Sequence, residues 1–248
     1  MATAAQNYLA AVRTVLEHIE TTQLEVIDQA AVLIADSLLA GGAVWCGDIG
    51  HGNEGDFINR AGGLACLHKF SFGFNLPQPI AKALADRPRP EPIDEEQETI
   101  AAQLRLSKLR AGDVLLISSV SGRNIRPVAI VQEARKLGVK VIVLTSATYT
   151  AQVTSYHPSG QKLIDVGDLV FDIGVPYGDA AVSIPGYEPD LLPLSGVSMI
   201  VMGWCLWGRV MEIMAERGTP ASVFMSFNRD GGPAFYDAQA ARYHELGY

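Results

Sequence analysis

Residues 113–144 constrain the fold most. An apolar run from Val114 to Ile117 opens into a turn rich in serine, and a helical pattern then runs from Ile125 to Gly138. A second apolar run follows at 139–144. Strand, turn, helix and strand in close succession predict a parallel sheet covered by helices on both faces. The rest of the chain extends the pattern. Residues 4–20 place Tyr8, Leu9, Val12, Val15, Leu16 and Ile19 on one helical face. Thr22 and Glu25 have the spacing of a capping box for a second helix ending at Gly41-Gly42. Short strands are expected at Ala43 to Cys46, within Leu64 to Phe70, and at Leu169 to Ile173. Asp94 and Gln97 resemble another capping box, opening a helix to about Arg110. Residues 71–93 and 174–193 read as loops. Ser195 to Arg217 reads as one long helix stopped by Gly218, apolar nearly all round and therefore buried against the domain's own sheet or a second subunit, with a dimer interface favoured. With no repeat and no clear linker, residues 1–248 are expected to form a single domain. It has N-terminal helices at 4–40 and a C-terminal helical region at 195–248.

The turn after Ile117 carries Ser118, Ser119, Ser121, Gly122, Arg123 and Asn124. A helix N-terminus presents unsatisfied N–H groups and the positive end of its dipole, so it suits an anion. The hydroxyls and Asn124 would add donors, and Gly122 would allow close backbone approach. Ordinary helix capping explains the same residue types and stays open. In open parallel sheets, ligands bind beyond the C-terminal strand ends. The loops 47–56, 118–124 and 145–149 all leave strands at that end, and Thr145 and Ser146 add hydroxyls facing the same region. The first loop holds Asp48, His51, Glu54 and Asp56. Such a set can move protons beside a sugar, hold a divalent metal, or be a solvated acidic loop. The chain has no HExxH, GxGxxG or GxSxG pattern. Of its five histidines, only His51 and His157 fall in loops where chemistry is plausible.

A net charge of −8 argues against nucleic acid or an anionic membrane as partner. It does not oppose a small anionic ligand at a local positive site. The cysteines Cys46, Cys66 and Cys205 are scattered, with no disulfide framework in view. The N-terminus shows no secretory pattern. The most apolar segment, Val197 to Trp207, is too short for a bilayer span. A cytoplasmic location with no membrane partner is expected.

Several segments in order resemble the SIS (sugar isomerase) domain family, and within it phosphosugar-binding proteins related to phosphoheptose isomerase. They are Arg60 to Ala65, Ser119 to Asn124 with Pro127, Val143 to Ser146, His157 to Gly160, Gly178 to Ala181, Val223 to Ser226, and Asp230 to Gly232. The resemblance implies a three-layer α/β/α sandwich with a five-stranded parallel sheet, flavodoxin-like, in a homodimer or higher homo-oligomer. It implies that Ser119, Ser121, Gly122, Arg123 and Asn124 hold a sugar phosphate, with Thr145 and Ser146 opposite. It also implies proton transfer by a carboxylate at Asp56, where relatives carry Glu. Two departures stand out. The first loop reads Gly47-Asp48-Ile49-Gly50-His51-Gly52 where the family has Gly-Thr-Gly-His-Ser, and Val120 replaces an Asn. The expected function is aldose–ketose isomerisation of a sugar phosphate without cofactor or metal. Asp56 or Glu54 would move the proton, and His51 or His157 would assist ring opening. The alternatives are a non-catalytic sugar-phosphate sensor and a metal-dependent enzyme using Asp48, His51 and Glu54.

Overall fold

The computed structural model describes residues 2–47, 52–71, 73, 79–88 and 94–248. Asp48 and His51 lie outside the described residues, as does much of the 71–93 loop. The chain opens with α1 (Ala4–Thr22) and α2 (Leu24–Leu39), then β1 (Val44–Cys46), a 3-10 turn at Asn53–Asp56 and β2 (Leu67–Lys69). After α3 (Lys82–Ala85) and α4 (Glu95–Leu106) come β3 (Val114–Ser118), α5 (Ile125–Lys136) and β4 (Lys140–Thr145). Short helices α6 (Ala147–Ala151) and α7 (Leu163–Val166) lead to β5 (Leu169–Asp172). The chain closes with β6 (Ala180–Val182), β7 (Leu191–Pro193), α8 (Ser195–Glu216) and α9 (Gly232–Leu246).

The first five strands form one parallel sheet in the order β2-β1-β3-β4-β5. Alternation along each strand divides the core into two layers. Val114, Leu116, Ile142 and Leu144 face α1, α2 and α8, whereas Leu115, Ile117, Val141 and Val143 face α4, α5 and α7. This is the three-layer α/β/α sandwich expected, and the near-continuous apolar strands reflect burial on both faces. Long-range order within the sheet is pinned by buried acids. Asp113, 1 % exposed, accepts from the Ala43 and Arg110 amides and from Trp45 Nε1, tying β1 to the approach of β3.

Local details differ from expectation where a competing partner wins. Thr22 does not cap the second helix. It stays inside α1 and donates to the His18 carbonyl, and Gln23 precedes α2 without a side-chain cap. The capping box forms instead at Thr3 and Gln6. Asp94 does cap α4 through the Gln97 amide, but the Gln97 side chain goes across to Glu133 on α5. The 174–193 segment contains the β6–β7 hairpin, a two-stranded antiparallel ribbon. Helix α8 is long and apolar enough to cross a membrane by length and composition. It nevertheless buries Met199, Met202, Leu206, Trp207, Val210 and Met214 in the core shared with α1, α2 and the sheet. That face meets the chain's own core, while Val201, Trp204, Cys205 and Met211 beside it stay half-buried. Gly203 is required there, since a Cβ would enter the Phe57 ring just after the 3-10 turn. The C-terminal segment covers the β2 edge: Leu64 bridges Val223, and the Tyr243 hydroxyl on α9 hydrogen-bonds His68 Nε2 on β2.

Candidate functional site

A cavity of about 760 Å³ opens at the C-terminal ends of the strands, where β1 has β2 on one side and β3 on the other. This is the point at which strand order reverses, so the loops leaving β1 and β3 diverge to opposite faces and leave a crevice. Gly47 after β1, Lys69, Phe70 and Ser71 at the end of β2, and Glu54 line one wall. Ser118 to Ser121, Asn124, Arg126, Pro127 and Ile130 line another, and Tyr149, Gly178 and Asp179 complete it.

The 118–124 loop is held from behind through its carbonyls. The Ser119 carbonyl accepts from the Gly122 amide, and that of Val120 from the Ser146 amide and Thr145 Oγ1. The Ser121 carbonyl accepts from Thr150 Oγ1, that of Gly122 from the Leu163 amide, and that of Arg123 from the Tyr156 amide. Five successive carbonyls are therefore committed. The amides of Val120, Ser121, Arg123 and Asn124, and the hydroxyls of Ser119 and Ser121, have no partner among the described residues. A loop with its acceptors turned inward and its donors unpartnered among the described residues suits an anion, as does the N-terminus of α5, which has no side-chain cap. Gly122 has φ +64°, and a Cβ there would stand 2.9 Å from Thr145 Oγ1. The conformation and the close backing both need glycine.

The expected site residues separate into three groups. Ser119, Ser121, Asn124 and Glu54 stand at the cavity. Thr145 and Ser146 are fully buried behind the loop: Thr145 Oγ1 meets the Val120 carbonyl and Thr150 Oγ1, while Ser146 Oγ donates to the Val175 carbonyl at 2.6 Å. They brace the cradle and do not line the cavity. Arg123 also turns away, donating to the Thr154 carbonyl at 3.0 Å and lying 3.7 Å over the Tyr156 ring. His157 is likewise not a lining residue. Its Nδ1 accepts from the Ser159 amide, which assigns the ring proton to Nε2, an atom with no partner among the described residues.

The two carboxylates of the 3-10 turn point in different directions. Glu54 is 4 % exposed and pairs with Lys69 Nζ at 3.1 Å. Asp56 does not line the cavity; it accepts from Trp204 Nε1 of α8 at 3.0 Å and pairs with Arg60 at 3.2 Å. The turn is short enough that residues two apart fall on opposite sides, which the sequence spacing alone did not resolve. Lys69, Arg126, Tyr149 and Asp179 were not singled out as site residues. Lys69 ends a strand at the ligand-binding edge, a signal available from the sequence, whereas Tyr149 and Asp179 reach the cavity only through the packing of α6 and the β6–β7 hairpin. Asp179 also accepts from the amides of Leu194 and Ser195, fixing the start of α8 beside the cavity. No group of three or more His, Cys, Asp or Glu side chains suited to a metal occurs among the described residues.

Comparison with known proteins adds three findings. Residues 7–146 match the SIS domain. A UPF0309 protein of Streptomyces avermitilis is 32% identical over 241 residues, covering 96% of this chain and 94% of the relative. A UPF0309 protein of Caldanaerobacter subterraneus is 33% identical over 230 residues, 90% of this chain and 91% of the relative. Among solved structures, phosphoheptose isomerase GmhA from Neisseria gonorrhoeae superposes with a TM-score of 0.50 at 16% identity. That match covers 82% of this chain and 94% of the other.

Proposed function

Because this chain belongs to the SIS domain family, we propose that its cavity binds a sugar phosphate and interconverts the aldose and ketose forms through an enediol. The observation that carries the reading is the 118–124 loop: every carbonyl from Ser119 to Arg123 is tied back, and the Ser119 and Ser121 hydroxyls and the remaining amides have no partner among the described residues. A phosphate seated there places the sugar chain across the cavity toward the opposite wall. Glu54 stands on that wall as a paired carboxylate. It is the group placed to take the proton from the carbon next to the carbonyl and return it to its neighbour. Asp56 keeps the turn docked on α8 through Trp204 and thereby holds Glu54 in position. Anchoring at the remote phosphate supplies the binding energy that aligns the reacting carbons with Glu54. The role expected of Thr145 and Ser146 becomes that of rigid support for the loop.

Thermal unfolding against a panel of sugar phosphates, each paired with its unphosphorylated sugar, tests the binding half. A ligand at roughly 100 times its Kd stabilises by about 2.7 kcal/mol. Stabilisation by phosphorylated members alone is expected, and Ser121→Ala should weaken it by about 1–2 kcal/mol, one charge-assisted hydrogen bond. Equal shifts from both members of each pair would remove the phosphate anchor. Turnover of the stabilising sugar, followed as appearance of its ketose or aldose isomer, tests the chemical half. Phosphate-dependent binding without turnover identifies a sensor instead.

A further inference from the structure

The isomerase reading leaves Lys69, a charged group of the cavity, without a role. Lys69 is the last residue of β2, in register with Cys46, the last residue of β1. Its ammonium therefore emerges at the ligand-binding edge of the sheet, 3.1 Å from the Glu54 carboxylate. The two partners sit in unlike surroundings: the Glu54 side chain is 5% exposed and that of Lys69 59%. An ion pair that is half in water contributes little to stability. Its position, with both members lining the cavity opposite the phosphate loop, is better suited to handling charge on a ligand.

A base alone does not complete an enediol shift. When Glu54 removes the hydrogen from C2 of an aldose, the C–H pair forms the C1=C2 bond and the carbonyl π pair moves to O1. That oxygen needs a donor as its charge develops, and a cation held in place at the cavity wall is such a donor. We propose that Lys69 is that catalytic residue. This rests on the isomerase reading of the same site. The ammonium gives its proton to O1 to form the enediol. The resulting amine takes the proton from the O2 hydroxyl, while protonated Glu54 returns its hydrogen to C1, leaving C2 as the ketone and both side chains in their starting states. The adjacency of Glu54 and Lys69 matches the adjacency of the carbon and oxygen on which they act.

Lys69→Arg decides the matter, because a guanidinium keeps the pair with Glu54 but does not give up a proton at neutral pH. The probes are D-arabinose 5-phosphate, D-ribose 5-phosphate and D-glucose 6-phosphate, assayed for turnover by the parent and the variant, with Kd from titration and folding from thermal unfolding. For the probe the parent turns over, kcat of Lys69→Arg should fall by about 10²–10³-fold while Kd and the unfolding temperature hold. In a Cys205→Ser background, Lys69→Cys alkylated to carry an aminoethyl group should regain turnover, while the unalkylated thiol stays inactive; Cys46 and Cys66 are buried and escape the reagent. A Lys69→Arg enzyme within tenfold of the parent, or an alkylated variant no better than the thiol, overturns the assignment. A parent that binds a probe and turns none over overturns the isomerase reading itself, and is recognised without any variant.

Discussion

At the scale of single residues, glycine and cysteine make the sharpest statements. Gly122 combines a left-handed φ of +64° with a Cβ position 2.9 Å from Thr145 Oγ1. Gly122→Ala should cost at least about 1–2 kcal/mol from the backbone alone, with the clash against Thr145 added, and should lower phosphate affinity more than Ser121→Ala does. Chemical denaturation and ligand titration of the two variants check this. Burial pushes the Cys66 thiol up to about 12 and also raises Cys46, and Cys205, raised by desolvation too, lies part-exposed on α8. A thiol reagent should therefore modify one cysteine in the native protein and all three after unfolding, since only the thiolate reacts. Modification of two or more without loss of structure would contradict this packing. Of the residues the sequence singles out, Ser119, Ser121, Asn124 and Glu54 line the cavity. Thr145, Ser146, Arg123 and Asp56 point elsewhere, because residue type does not say which side of a loop faces solvent.

At the scale of elements, the informative contacts join segments far apart in the chain. Strand β2 is the sheet edge, and α9 covers it through the Tyr243 hydroxyl on His68 Nε2 at 2.5 Å. Desolvation lowers the pKa of His68 from 6.5, with the Asp113 charge opposing it. The unfolded chain then binds a proton that the folded chain refuses, so stability rises with pH between the folded value and 6.5. The contribution is complete above that range and is lost as the solution acidifies through it. Urea unfolding at about pH 5.5 and about pH 7.5 should show the slope, and His68→Gln should flatten it. A slope that His68→Gln leaves unchanged would assign the effect to another group. The sequence located β3, α5, β4 and α8 to within a residue or two, because each carries a strong period and a clear stop. It missed the β6–β7 ribbon and the Tyr243 contact, whose partners lie too far off in sequence for a local pattern to record.

At the scale of the whole molecule, all the major helices are organised by one sheet, and the cavity exists because strand order reverses between β1 and β3. Helix α8 gives one face to the molecule's own core and keeps Val201, Trp204, Cys205 and Met211 half-buried. The large apolar side chains left outside on the first two helices are Leu9, Leu16, Leu24, Val32 and Leu39, all exposed. A second copy covering this face is the assembly we expect. Sedimentation should give a dimer or larger species, and Leu9→Lys with Leu16→Lys should shift it toward monomer with the fold retained. Sedimentation of the parent as a monomer at micromolar concentration would place these leucines among ordinary exposed hydrophobics.

The sequence by itself determined the parallel sheet, its two helical layers and the hydroxyl-rich loop after β3. These follow from period, apolar run length and turn chemistry, all of which are local. Tertiary structure alone decided which donors of that loop are free, since the carbonyls are claimed by Ser146, Thr150, Tyr156 and Leu163, residues 26 to 41 positions or so downstream. It also decided that Glu54 and not Asp56 meets the cavity, and that Lys69 stands beside it. A hydrogen bond or ion pair is a statement about distance in space, and no spacing along the chain contains it.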